Sequence, residues 1–269
     1  MLNIHLIKST SNPIFKDLKV FVKNGVNKNY SELFCVAGFK NNLVALENSW
    51  KPNTIFISST IDQKLFNKIK SLTKKWKIRW IQLSSNLVLK LNELGNGNDF
   101  FVYYEKINFF KQSFELSNQF NYALCDHVQQ PENLGSIIRN AAAFNIKGLF
   151  LWNCASIFLP KTIRTSAGNI FNVSISIIQD LNKFLNSLIT KNIKLIGLEN
   201  SNNAKDILNL SSEQLIGNIF IFGNEGNGIH TDLSKKINFN CKITINNKVD
   251  SLNVATTSAI VFYELNKKC

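Results

Sequence analysis

A chain of 269 residues with 45% hydrophobic and 18% charged residues has the composition of a folded globular protein with ample core, which excludes a disordered chain. Its net charge of +13 favours a polyanionic partner, RNA or an anionic membrane surface, although the abundance of Asn, Lys and Ile makes charge supporting evidence only. The five cysteines are scattered without a C-x-x-C pair, which argues against a disulfide framework and a structural metal site and for reduced thiols in the cytoplasm.

Along the chain, Met1–Lys8 lacks the apolar core of a signal peptide, and no run reaches the roughly 18 apolar residues of a membrane span. Residues 9–24 predict a capped amphipathic helix in which Pro13 precedes Ile14, Leu18, Phe21 and Val22, with Gly25 as its stop. Strands are predicted at 33–38, 54–58 and 77–83, with helices through Leu43–Leu46 and 63–75 between them. This alternation points to a small α/β sheet. Lys64, Lys68, Lys70, Lys74, Lys75, Lys77 and Arg79 are its densest basic run, with Trp76 and Trp80 interleaved. Such a run is commonly a solvated helix face, and the sharper alternative is an RNA phosphate track with stacking aromatics. Gly95–Asn98 reads as a turn and Phe100–Tyr104 as a last strand. The first domain is thus expected over 1–105, a linker over 106–119 and a second domain over 120–269.

In the second domain, strands are expected at 122–128, 148–152, 193–198, 219–222 and 241–245, and helices at 134–144, 180–191, 211–215 and 252–265. That is a doubly wound, mainly parallel sheet, whose ligands gather beyond the carboxyl ends of strands. Three stretches sit at such ends. Asn133-Leu134-Gly135-Ser136-Ile137-Ile138-Arg139 opens a helix whose Leu134, Ile137, Ile138 and Ala141 form a buried face, leaving Arg139 on another. Gly223-Asn224-Glu225-Gly226-Asn227-Gly228 follows an apolar strand. It lacks the Lys-Ser/Thr of a phosphate loop and the G-x-G-x-x-G spacing of a dinucleotide fingerprint. Ser251-Leu252-Asn253 opens the last helix, with Ser251 placed as its cap. Taken singly, each stretch has a plain structural explanation: a solvated arginine, a turn, a helix cap.

In this order and with these neighbours, the three stretches resemble the motifs of the SpoU (TrmH-like) class of SPOUT RNA methyltransferases, over residues 120–269. The resemblance implies a trefoil-knotted domain that moves a methyl group from S-adenosylmethionine to a ribose 2′-hydroxyl. It implies catalytic roles for Arg139, Asn133, Glu225, Ser251 and Asn253, and cofactor contacts at Gly223, Ile243 and Leu252, with no metal. Where the class commonly has Ile-Pro-Met, this chain has Ile243-Thr244-Ile245, so a less rigid loop is expected. Arg164 and Ser166 resemble a further segment that would contact RNA. The first half is similar to a small ribosomal-protein-like RNA-binding domain, which implies a large-subunit (23S) ribosomal RNA target, and the resemblance to the class implies a homodimer. Transfer RNA is the nearest alternative substrate. From a different class, the chain could be an RNA-binding assembly factor that keeps the fold without catalysis. His127 and His230 lie near the motifs without belonging to them. On the final helix, Val261, Phe262 and Leu265 could serve a dimer interface or the chain's own core.

Overall fold

The computed structural model describes residues 4–94, 99–110, 115–201 and 203–268. The expected turn at Gly95–Asn98 and residues 111–114 of the expected linker lie outside the described residues. The chain divides into two compact units, Met1–Lys111 with Phe158–Asn172, and Gln112–Ile157 with Val173–Cys269.

The first unit runs β1 (Ile4–Ile7), α1 (Pro13–Asn24), β2 (Leu33–Ala37), α2 (Phe39–Glu47), β3 (Thr54–Ser58), α3 (Gln63–Thr73), β4 (Arg79–Leu83), α4 (Ser85–Asn92), β5 (Phe100–Glu105) and α5 (Ile107–Phe110). Helix α1 begins where the Asn12 side chain accepts from the Ile14 N–H at 2.9 Å, and ends at Gly25 in the left-handed conformation. Its Phe15, Leu18, Phe21 and Val22 face is buried. The sheet order is β1-β4-β3-β5-β2, with β5 antiparallel to both neighbours. Trp80, on β4, is only 4% exposed, so the sequence's pairing of it with Trp76 as stacking aromatics is corrected: Trp80 belongs to the core. Residues 158–172, which the sequence assigns to the second domain, pack here instead. The Trp50 indole N–H donates to the Phe171 carbonyl at 3.2 Å, and the Phe158 ring lies 4.7 Å from that of Phe34. A fully buried aromatic contributes roughly 1.5–3 kcal/mol, enough to anchor a short excursion of chain.

The second unit runs β6 (Tyr122–Asp126), α6 (Pro131–Ala143), β7 (Gly148–Trp152), α7 (Pro160–Thr165, in the excursion just described), β8 (Ile175–Ile177), α8 (Leu181–Thr190), β9 (Lys194–Leu198), β10 (Lys205–Asp206), α9 (Ser212–Leu215), β11 (Asn218–Phe222), α10 (Thr231–Ser234), β12 (Phe239–Lys242) and α11 (Val254–Lys268). Its sheet order is β10-β12-β9-β11-β6-β7-β8, and every pairing is parallel. Strands β6 and β11 are buried along their whole length, as expected of strands covered on both faces. Because the strands are parallel, the loops after Asp126, Leu198, Phe222 and Lys242 share one edge. Strand β12 ends at Lys242, so Ile243–Ile245, expected as strand, are loop. Val261, Phe262 and Leu265 of α11 are at most 1% exposed, which assigns them to this chain's own core. No helix among the described residues is long and apolar enough to cross a membrane.

Candidate active site

At that shared edge a cavity of about 630 Å³ opens, within the usual range for small-molecule sites. Asn133, Gly223, Glu225, Ile243, Ser251, Leu252 and Asn253 line it, seven of the eight residues singled out from sequence. Arg139 does not: it is exposed on α6, and among the described residues no hydrogen bond or ion pair is recorded for it. Six residues beyond Asn133, it stands about 9 Å further along the helix axis.

The polar centre is a chain of side-chain amides. Asn133, 8% exposed, donates from Nδ2 to Glu225 Oε1 at 2.6 Å and to Gln130 Oε1 at 3.1 Å, and its Oδ1 accepts from Asn253 Nδ2 at 3.1 Å. Asn253 Oδ1 in turn accepts from the N–H groups of Ala255 and Thr256 at 2.9 and 3.3 Å. Asn253, and not Ser251, therefore caps α11, and the cap fixes which end of its amide faces Asn133. One helical face lower, Asn140 donates to Ala255 O and Ser258 Oγ at 3.0 and 2.9 Å. Asn133 and Asn140, seven residues apart, thus fasten one stripe of α6 to α11. Gly223 gives the loop its closeness: a Cβ there would lie 2.5 Å from the Gly228 carbonyl carbon.

The walls mix apolar and polar groups, with Leu198, Ile207, Ile243, Ile245, Leu252 and Val261 supplying the apolar part. Their charged neighbours are Glu199, Glu225 and Asp250 against Lys242 alone, an acidic surplus in a chain of net charge +13. Such a lining selects a cationic ligand with an apolar body. Cys241 also lines the cavity, but burial pushes its thiol up to about 12, so it is a neutral packing group and not a nucleophile. Among the described residues no His/Cys/Asp/Glu group could hold a metal ion.

Sequence reasoning missed Leu198, Glu199 and Ile207, which carry no motif; the signal available was that residues just past a parallel strand face the ligand edge. It also missed what replaces the proline. The Thr244 N–H donates to Asp206 Oδ2 at 3.2 Å and its hydroxyl donates to the same oxygen, while Asp206 Oδ1 accepts from Leu208 N–H at 2.8 Å. Ile243 and Ile245 then face the cavity on either side of the tethered Thr244. The Thr244 hydroxyl, as the largest cause, holds the Asp206 carboxyl below its ordinary 3.8. A carboxylate with a lowered folded value stabilises above the unfolded value and loses that contribution as pH falls through the folded one. Thr244→Val is accordingly expected to weaken cofactor-site binding several-fold, about 1 kcal/mol for a lost charge-assisted bond. It should also move the acid-induced loosening of this loop up toward pH 3.8, followed by ligand affinity across an acid titration.

Two residues offered as RNA contacts divide. Ser166 is fully buried and donates to Ile163 O at 2.8 Å, so it is a packing residue, whereas Arg164 is exposed.

Comparison with known proteins shows the family and the fold. Residues 121–263 match the SpoU rRNA Methylase family. A Staphylococcus aureus (strain COL) protein assigned to the TrmH family of tRNA/rRNA methyltransferases is 30% identical over 161 residues, 60% of this chain and 64% of that protein. The 23S rRNA (guanosine(2553)-2′-O)-methyltransferase RlmP of Bacillus subtilis (strain 168) is 32% identical over 145 residues, 53% of this chain and 56% of that protein. The chain thus spans less than two thirds of the length of these relatives. The fold is shared with an AdoMet-bound rRNA methyltransferase from Sinorhizobium meliloti, at TM-score 0.82 and 20% identity over 98% of each chain.

Proposed function

The chain belongs to the SpoU rRNA Methylase family, and from that premise we propose that it is an S-adenosylmethionine-dependent RNA methyltransferase acting on a ribose 2′-hydroxyl, with 23S ribosomal RNA as substrate. The observation that carries the reading is the cavity itself: a pocket of mixed apolar and polar walls with a surplus of carboxylates, lined by the hydrogen-bonded Glu225–Asn133–Asn253 chain. Its residues fit the cofactor. The isoleucines at 207, 243 and 245 with Leu252 suit an adenosine, and the surplus of carboxylates suits a sulfonium and an ammonium. The 32% identity to a 23S rRNA 2′-O-methyltransferase supports the substrate assignment.

When bound, S-adenosylmethionine supplies an electrophilic methyl group on a positively charged sulfur. The chain's own residues then have three tasks. Gly223 and the 243–245 loop shape the pocket so that the reactive group is held in one pose, the source of most of the gain, since orientation alone can be worth roughly 7–11 kcal/mol. Asn133, Glu225 and Asn253 form a fixed hydrogen-bond network whose remaining valences hold the ribose. Arg139, exposed and unanchored, approaches from the RNA side, where a guanidinium can pair with phosphate and lower the pKa of the hydroxyl. An arginine stays protonated, so solvent or another group takes the proton.

The trefoil-knotted path and the homodimer belong to the same reading. Lys268 Nζ at the end of α11 donates to the carbonyls of Ile207, Leu208 and Leu210 at 3.3, 2.8 and 3.1 Å, which supports a last helix locked against the 207–210 segment. With Val261, Phe262 and Leu265 in the core, a second copy has the outer face of α11 to use, where Tyr263 is 51% exposed. Free thiols at Cys35, Cys125, Cys154 and Cys241 suit a cytoplasmic setting.

Titration calorimetry with S-adenosylmethionine, followed by mapping of 2′-O-methyl sites in total RNA with and without the protein, tests the proposal. Binding plus a site lost from 23S rRNA is the expected result. A site lost from transfer RNA would reassign the substrate, and no binding at millimolar cofactor would leave the assembly-factor reading.

A further inference from the structure

His127 and His230 have no task in methyl transfer, yet their rings stack 5.2 Å apart at 17°, and the Trp152 indole meets each edge-on, at 4.9 and 5.2 Å. Beneath them lies the Asp126 carboxylate, which is 0% exposed. Its Oδ1 is 2.5 Å from His127 Nδ1, and its Oδ2 accepts from the His230 backbone N–H at 2.6 Å. His127 itself sits at φ 53°, where residues other than glycine are uncommon. Its carbonyl accepts from Asn224 Nδ2 at 2.8 Å. Residues 126 and 127 therefore grip both flanks of the Gly223–Gly228 loop, at Asn224 and at His230.

We propose that Asp126 and His127 form a two-point clamp that positions this loop, and through it Glu225, against Asn133. The loop has a shape of its own: Asn224 and Gly228 exchange both backbone hydrogen bonds, at 2.9 and 3.0 Å, and Asn224 Oδ1 accepts from the N–H groups of Gly226 and Asn227. That closed turn has no internal means of fixing where its Glu225 tip points; the clamp supplies it. The ring of His127 is what keeps the clamp shut. Asn153 Nδ2 lies 3.3 Å from His127 Nε2, so the network assigns Nε2 as acceptor and Nδ1–H as donor to Asp126. His230 Nδ1 likewise accepts, from Asp232 N–H at 3.3 Å. Asp126 and His127 are positioning residues, since neither lines the cavity.

The activity arm of the test rests on the methyltransferase reading; the loop-order arm does not. His127→Gly keeps the left-handed backbone and the carbonyl while removing the ring, and Asn224→Ala removes the other attachment without touching Asp126. In both, exchange of the Gly228 amide, which bonds to the Asn224 backbone carbonyl and not to the side chain that is changed, is expected to accelerate by about tenfold or more while amides of β6 and β11 stay protected. In RNA methylation, kcat should fall about 100-fold with KM for S-adenosylmethionine within about threefold. Added imidazole should restore protection and rate to His127→Gly but not to Asn224→Ala. Unchanged exchange and kcat, or equal loss of cofactor binding and kcat with no response to imidazole, overturns the clamp. If the unaltered protein methylates no RNA, the functional reading falls and the exchange arm still decides.

Discussion

Arg139→Ala is expected to lower methyl transfer by about 10²–10³-fold while affinity for S-adenosylmethionine and thermal stability stay close to those of the unaltered protein. The separation follows from placement. Arg139 lies on the exposed side of α6, outside the cavity lining, and its removal opens no hydrogen bond of the Asn133 network. Whatever it contributes, it contributes to the RNA and to the reacting oxygen. Arg139→Lys then divides the contribution: it keeps the charge and loses the planar two-pronged donor, so a rate midway between alanine and arginine assigns the role to both. Measured by single-turnover methylation alongside calorimetry, full activity in the alanine variant would remove Arg139 from the mechanism. Loss of cofactor affinity would place it in the pocket instead.

What the residues revealed beforehand follows the physics of each element. Strands β3, β7 and β11 were legible because they are continuous apolar runs between polar turns. Strand β1 was not: two of its four residues, His5 and Leu6, face solvent at the sheet edge, so it lacks both a run and a clean alternation. Strand β12 was displaced because Ile243 and Ile245, which look like its continuation, spend their hydrophobicity on the cavity wall. Residues 158–172 lie inside the expected second domain yet cluster with the first unit, because sequence adjacency says nothing about which core Phe158 and Phe171 join. At the site, family letters brought together Asn133, Glu225 and Asn253 across separations of 92 and 120 residues, which no periodicity encodes. The same letters missed Asp206, whose bond to Thr244 exists because this chain lacks the customary proline.

Gly223→Ala should be the most damaging small substitution in the pocket, and its contrast with Gly226→Ala makes the expectation specific. A Cβ at Gly223 would stand 2.5, 2.6 and 2.7 Å from the carbonyl carbon and oxygen of Gly228 and the nitrogen of Ile229. All three are backbone atoms held in the Asn224–Gly228 bridge, so no side chain can swing aside. The loop must open, carrying Glu225 away from Asn133 and widening the pocket floor. Overpacking of this kind typically costs about 1–3 kcal/mol, which predicts cofactor affinity weakened by roughly 5- to 150-fold and methylation by at least as much. At Gly226 the nearest atom to an added Cβ is Asn224 Oδ1 at 3.6 Å, an ordinary contact, and its φ lies outside the left-handed region. Gly226→Ala should therefore bind S-adenosylmethionine within about twofold of the unaltered protein, surface changes of this kind being near neutral. Equal losses in the two variants would show that the loop responds to any side chain, and that the close approach at Gly223 is not what shapes the pocket.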